Sequence, residues 1–180
     1  MKPGSSDSWR KDGDNEAFDH ESWELKSQQF YVAAKQLLVD FDTALQAPNF
    51  QSMLLLPTAE FLASLALELV SKAYYLKSNH GPKEDIYSHN VLSLCGEGFF
   101  NQEQTKLMFH AQRYVVWAGR YPTPKWTKET YKEGYDVPSK VTGNYEQIDG
   151  RDVPNWASRP RADDLLALYE YVRNAWQELQ

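Results

Sequence analysis

Residues 54 to 77 read LLLPTAEFLASLALELVSKAYYLK, and after Pro57 neither glycine nor proline interrupts the chain until Gly81. Ala, Leu, Glu and Lys dominate this run, and all four are strong helix formers. Pro57 is expected at the first helical position, where its missing N–H costs nothing. Apolar residues nearly encircle the helix: Phe61, Leu62, Leu65, Ala66, Leu69, Val70, Ala73 and Leu76. One narrow stripe is polar, made of Glu60, Ser64, Glu68, Ser71 and Lys72. A helix that is hydrophobic on almost every side belongs among other helices. It is too short and too charged for a membrane span, which takes about 20 predominantly apolar residues. Glu68 and Lys72 stand four apart with the acid first, the order that favours an ion pair. Buried, that pair matters more than on a surface, because either charge alone would be costly.

Other helical stripes surround this one. Trp23, Phe30, Ala34, Leu37, Leu38, Phe41 and Leu45 recur every three or four residues, so a helix is expected from Asp19 or Ser22 to Gln46. Either residue can cap it. Gly81 suits a left-handed position after the central helix. A short third helix is expected from Ser88 to Glu97, with Ser88 as N-cap and Gly96 and Gly98 ending it. A fourth runs from Gln102 to Gly119 behind the cap Asn101, with Leu107, Ala111, Tyr114, Val115 and Ala118 inward. The last spans Ala162 to Leu179, with Asp163 and Asp164 at its favourable end. Leu165, Leu168, Tyr169, Val172, Trp176 and Leu179 form its stripe.

Two stretches break the periodicity. Residues 1 to 18 are rich in Gly, Ser, Asp and Lys and are expected to form a flexible arm. Between 120 and 160 lie Pro122, Pro124, Pro138, Pro154 and Pro160 with Trp126, Tyr131, Tyr135, Tyr145 and Trp156. The aromatics argue for an ordered, irregular flap with a small hairpin around Gly143-Asn144. The fold class that follows is an all-α, up-and-down bundle of four or five helices, with this long loop before the last. At 180 residues the chain makes one domain, 19–180, and needs no staple to bury a core.

Composition excludes several chemistries. A net charge of -6 disfavours non-specific nucleic-acid binding, which needs many Lys and Arg contacts to phosphate. The lone Cys95 cannot form an intramolecular disulfide, which fits a reducing, cytoplasmic setting. The first residues carry no apolar signal core. There is no Gly-rich phosphate loop, nucleophile elbow or Cys/His cluster, and no Glu-x-x-His of a diiron bundle. No metal or cofactor is therefore expected. Cys95 lies on an apolar helix side and reads as core.

Two patches remain as candidate ligand sites. One is His89, after Tyr87-Ser88 at the start of the third helix. There an imidazole can enter a polar network, or simply close a packed helix start. The other is on the fourth helix, where His110, Arg113, Trp117 and Arg120 share a side and lead into Tyr121-Pro122. Two guanidiniums beside aromatic rings suit a phosphate or a stacked base. They equally suit a clamp on the flap through cation–π contacts.

In order and spacing, three pieces of the chain resemble the HEPN family (higher eukaryotes and prokaryotes nucleotide-binding domain). They are Glu68-Leu69-Val70-Ser71-Lys72-Ala73, His89-Asn90-Val91-Leu92-Ser93-Leu94, and Gly119-Arg120-Tyr121-Pro122. The likeness covers residues 20 to 121 best. It implies an all-α bundle, commonly dimeric, and in many members a metal-independent RNase of toxin–antitoxin or antiviral systems. The family's catalytic mark is an Arg followed four to six residues later by a His. Here Arg10 is too far from His20, and no His follows Arg113 or any later Arg. Asn90 also stands where the family's His-Asp pair has Asp.

The resemblance therefore points to a non-catalytic module for binding and dimerisation. Its candidate ligand residues are Lys72, His89, Asn90, His110, Arg113, Trp117, Arg120 and Tyr121. The expected partners are a second copy of the chain, a nucleotide or RNA, or another protein, with no membrane. The alternatives are a divergent RNase using His89 or His110 with Arg113 or Arg120, and a structural subunit of a larger complex.

Overall fold

The computed structural model describes residues 18–44, 52–79, 81–115, 145–148, 151–154 and 161–179. The expected arm before Phe18, most of the flap, and Trp117, Arg120 and Tyr121 lie outside the described residues. The chain is an all-α helical bundle. Its helices are α1 (His20–Ala44), α2 (Ser52–Ser78), α3 (Val91–Cys95), α4 (Gln102–Arg113) and α5 (Ala162–Glu178). A 3-10 helix, Lys83–Tyr87, links α2 to α3, and a hairpin of β1 (Tyr145–Ile148) and β2 (Arg151–Pro154) precedes α5.

Asp19 is the residue that caps α1. Its carboxylate accepts the backbone N–H groups of Glu21 at 3.2 Å and Ser22 at 3.1 Å, and the Ser22 hydroxyl at 2.5 Å. The Ser22 bond holds this carboxyl below the usual aspartate range.

α2 begins at Ser52, five residues before Pro57, so the proline lies inside the helix instead of starting it. The ring forfeits one backbone hydrogen bond there. The Ala- and Leu-rich residues that follow carry the helix on regardless.

α2 is the central element and packs against α1, the 3-10 helix, α3, α4 and α5. Ala63, Ala66, Leu67, Val70 and Tyr74 of α2 share one core with Ala34, Met108, Ala111, Leu165, Tyr169 and Val172. The alanines let neighbouring helix axes come close. Across that core Tyr31 stacks on Tyr169, with ring centres 4.5 Å apart, and Ser27 Oγ lies 3.2 Å from the Tyr169 hydroxyl. Arg173 of α5 donates to Glu24 of α1 at 2.8 Å, and Gln28 donates to the same oxygen at 2.6 Å.

The exit from α2 differs from the expected one. The left-handed residue is Asn79, with φ 54°, not Gly81. Asn is among the few side chains that tolerate this conformation. Gly81 is needed for space, because a Cβ there would lie 2.5 Å from the Tyr75 hydroxyl. That hydroxyl lies 2.9 Å from the Asp85 carboxylate and 3.0 Å from the Pro82 carbonyl, sharing its single proton between them and pinning the 3-10 helix to α2.

α3 is a single short turn, not the ten residues expected from Ser88 to Glu97. Ser88 does not cap it; its hydroxyl accepts the Asn90 N–H at 3.0 Å and closes a tight local turn instead. Gly96 and Gly98, at φ 87° and 78°, do end it. Cys95 is buried, and burial pushes its thiol up to about 12, as befits a core residue.

Asn101 caps α4 in a reciprocal box with Gln104, both bonds 2.9 Å. The α-helix closes at Arg113, and Tyr114 and Val115 continue in a wider π-type turn. At α5 the Arg161 N–H donates to Asp164 at 2.9 Å. The hairpin pairs Tyr145 with Pro154 and Ile148 with Arg151, so its strands are Tyr145–Ile148 and Arg151–Pro154, just beyond the Gly143-Asn144 expected as its centre. The sequence between the two strands reads Asp149-Gly150, a pair that two-residue hairpin links favour.

Candidate functional site

The polar stripe of α2 points inward. Glu60, Ser64, Glu68, Ser71 and Lys72 are all buried, as deeply as the alanines beside them. Ser71 answers its own helix, donating to the Leu67 carbonyl at 2.8 Å. Lys72 Nζ donates to Glu68 Oε1 at 2.5 Å, the pairing their spacing predicts. The ammonium also lies 5.4 Å from the centre of the Trp23 ring on α1.

Glu68 does more than pair with Lys72. The same oxygen meets His89 Nδ1 at 3.0 Å, so one buried carboxylate joins a buried cation to an imidazole on the loop before α3. The His89 side chain is 42% exposed. It thus bridges the interior and the solvent. A carboxylate facing Nδ1 favours the tautomer with its proton there, which makes Nε2 an acceptor. Glu68 Oε2 and the Ser64 hydroxyl, one turn away, are buried without hydrogen-bond partners. Buried polar atoms of this kind are uncommon in proteins and frequently mark function or bound water.

The next residue fixes the loop. The Asn90 carbonyl accepts the Ser93 hydroxyl at 2.7 Å, and its side-chain oxygen accepts Gln112 Nε2 at 3.4 Å. Gln112 is in the last turn of α4, adjacent to Arg113, whose side chain is exposed. His110, one turn earlier, is half-buried with its ring 5.6 Å from that of Tyr114.

The fold therefore gathers Lys72, His89 and Asn90 into one corner and ties that corner to the turn bearing Arg113. His110 packs into the bundle beside Tyr114. Trp117, Arg120 and Tyr121 are outside the described residues. The buried Lys72–Glu68 pair neutralises itself, while the His89 ring and Arg113 reach solvent.

Sequence reasoning placed His89 at a helix end. It does stand just before α3, and of the two readings given for it the polar network is the one seen, with a carboxylate 21 positions away as its partner. Glu68 as a shared acceptor, Gln112 as an anchor and Trp23 as a cover for Lys72 were not identified from sequence. The signal for Glu68 and Lys72 was present in their polarity on an otherwise apolar helix. No local pattern signals a contact between α2 and the loop at His89.

No family model, curated protein or solved structure matches this chain. Among the described residues no group of three or more His, Cys, Asp or Glu side chains could hold a metal ion. No helix among them is long and apolar enough to cross a membrane.

Proposed function

We propose that this chain is a non-catalytic, HEPN-like helical module of the cytoplasm. It binds a nucleotide or RNA at the His89–Asn90 corner and pairs with a second copy of itself, in a defence or toxin–antitoxin setting. One observation carries the ligand half of this reading: a half-exposed imidazole seated 3.0 Å from a buried carboxylate, on a loop tied to the Arg113 turn. A phosphate or a base edge meets there an imidazole nitrogen and an amide, groups that recognise nucleotides, with Arg113 exposed on the adjoining helix turn.

The absence of catalysis rests on what an RNase needs. Without metal, cleavage requires a general base, a general acid and a cation for the charge that develops on phosphate. The spaced Arg and His of the catalytic family members is missing from the chain. The carboxylate beside His89 is also already engaged by Lys72 at 2.5 Å.

The Glu68–His89 contact favours one second reading, a divergent RNase. A carboxylate on Nδ1 is also how a general-base histidine is oriented. A single assay separates the two. Labelled single-stranded RNA and a tRNA pool are incubated with the protein, with and without chelator, beside His89→Ala and His110→Ala. Retention of RNA without cleavage, weakened at least tenfold by His89→Ala, supports the binding module. Cleavage that survives the chelator and disappears in His89→Ala installs the RNase instead.

A further inference from the structure

One oxygen in the His89 corner fixes which way its hydrogen bonds run. Glu68 Oε1 is 2.5 Å from Lys72 Nζ and 3.0 Å from His89 Nδ1. An ammonium has donors only, so Oε1 accepts from Lys72. A proton on the other carboxyl oxygen, Oε2, would be buried with nothing to receive it. Glu68 therefore has no proton to give, and the proton between it and His89 belongs to Nδ1.

That tautomer decides what His89 can recognise. With Nδ1 protonated, Nε2 of the neutral ring is an acceptor, and only a donor satisfies it. Among the described residues nothing engages Nε2, and the side chain is 42% exposed. A phosphodiester carries acceptors alone and finds no partner in that nitrogen. The nucleoside part of a nucleotide carries donors, namely the N–H groups of its base and the hydroxyls of its ribose.

We infer, on the footing of the nucleotide-binding reading above, that His89 reads the nucleoside and not the phosphate. Its Nε2 accepts an N–H or O–H from base or ribose. Glu68 is the positioning residue that holds the ring in the tautomer able to do so, and Lys72 keeps Glu68 charged and in place.

The test uses the full chain, labelled with 15N, at pH 8, where an ordinary imidazole is neutral. Long-range proton–nitrogen NMR spectra report which ring nitrogen carries the proton. His89→Ala identifies the signals of this ring among those of the four histidines. A free imidazole in water favours the proton on Nε2, so a proton on Nδ1 marks the Glu68 contact, and the parent is expected to show it there. Adenosine, cytidine, guanosine and uridine are titrated in turn, and at least one should shift the Nε2 signal. Dimethyl phosphate at the same concentrations should leave it in place. The bare bases and methyl riboside, each titrated alone, separate base from sugar as the source of the proton.

Glu68→Gln with Lys72→Met replaces the buried ions by neutral groups and lets an amide donate to Nδ1. The proton then moves toward Nε2, and nucleoside affinity should fall about fivefold, as for one lost hydrogen bond. Circular dichroism checks that the helices persist; if this variant does not fold, the parent's spectrum and titrations decide. A parent ring protonated on Nε2 or on both nitrogens overturns the inference. So does dimethyl phosphate that shifts Nε2 as strongly as any nucleoside, or a folded double variant with unchanged affinity. So do nucleosides that leave Nε2 unmoved while labelled RNA is retained. Nucleotide binding survives each of these results. A chain that retains neither RNA nor any nucleoside overturns both.

Discussion

Ala59, Ala63, Ala66 and Ala73 on α2 are fully buried, and so, within a few per cent, are Glu60, Ser64, Glu68 and Lys72 on the same helix. Burial is the same on the two stripes, but its energetic basis differs. The alanine stripe is held by apolar area and close packing, where each methylene removed leaves a void. The charged stripe is held by pairing. Its ions are tolerable only while Lys72 and Glu68 neutralise each other, and its stability is lost by removing one partner more than by removing both. The apolar stripe gives the bundle its cohesion. The charged one holds His89 at the surface in a fixed orientation.

Substitutions can break that contrast, beginning with the apolar side. Leu67→Ala is expected to cost about 4 kcal/mol in a denaturant titration, in the upper half of the range for buried leucine truncation. The reason is that Leu67 is fully buried within a core formed by α1, α2, α4 and α5. A loss under half a kilocalorie would mean that α2 is not central.

On the charged side, Lys72→Met should cost about 3 kcal/mol, because it strands Glu68 in the interior. Adding Glu68→Leu should restore the protein to within about 1 kcal/mol of the parent, since the pair is then replaced by apolar volume. Additive losses in this double-mutant cycle would show that the two charges do not depend on each other.

A smaller effect belongs to neither stripe and calibrates both. Asn101→Ala removes the cap of α4 and should cost about 1 kcal/mol, with the α2 core intact.

The last effect vanishes at neutral pH. Burial raises Cys95 from 9.0 to about 12 and also raises Tyr75 and Tyr169 above their ordinary value. The folded state therefore keeps protons that the unfolded chain releases. Stability from these groups is complete below about pH 9 and declines as pH rises toward 12. Cys95→Ala should remove the thiol's share of that alkaline decline in thermal melts, measured against the variant's own melt at pH 7. An unchanged limb would mean the thiol is not buried.

Much of this architecture is written in local patterns. Trp23 to Phe41, Leu107 to Val115 and Leu165 to Trp176 each repeat at helical spacing, and each lies on a helix. Asn101 and Asp19 cap the helices that follow them because a short side-chain oxygen reaches the first free N–H groups. Asn79 and Gly81 show where such reading stops. Glycine was the natural candidate for a left-handed turn, yet its place is dictated by the Tyr75 hydroxyl arriving from six positions earlier. Ser88 had the composition of a cap, but its hydroxyl found the nearer Asn90 N–H.

The chain's own periodicity thus dictated an all-α bundle around α2, since amphipathic spacing and capping act over a few residues. Folding alone decided that Glu68 would serve Lys72 and His89 together, and that Asn90 would anchor to Gln112. Those contacts join residues about twenty positions apart. Their formation depends on how the loop before α3 crosses α2 and meets α4, and that is set by packing of the whole core, not by any pattern within reach of the residues themselves.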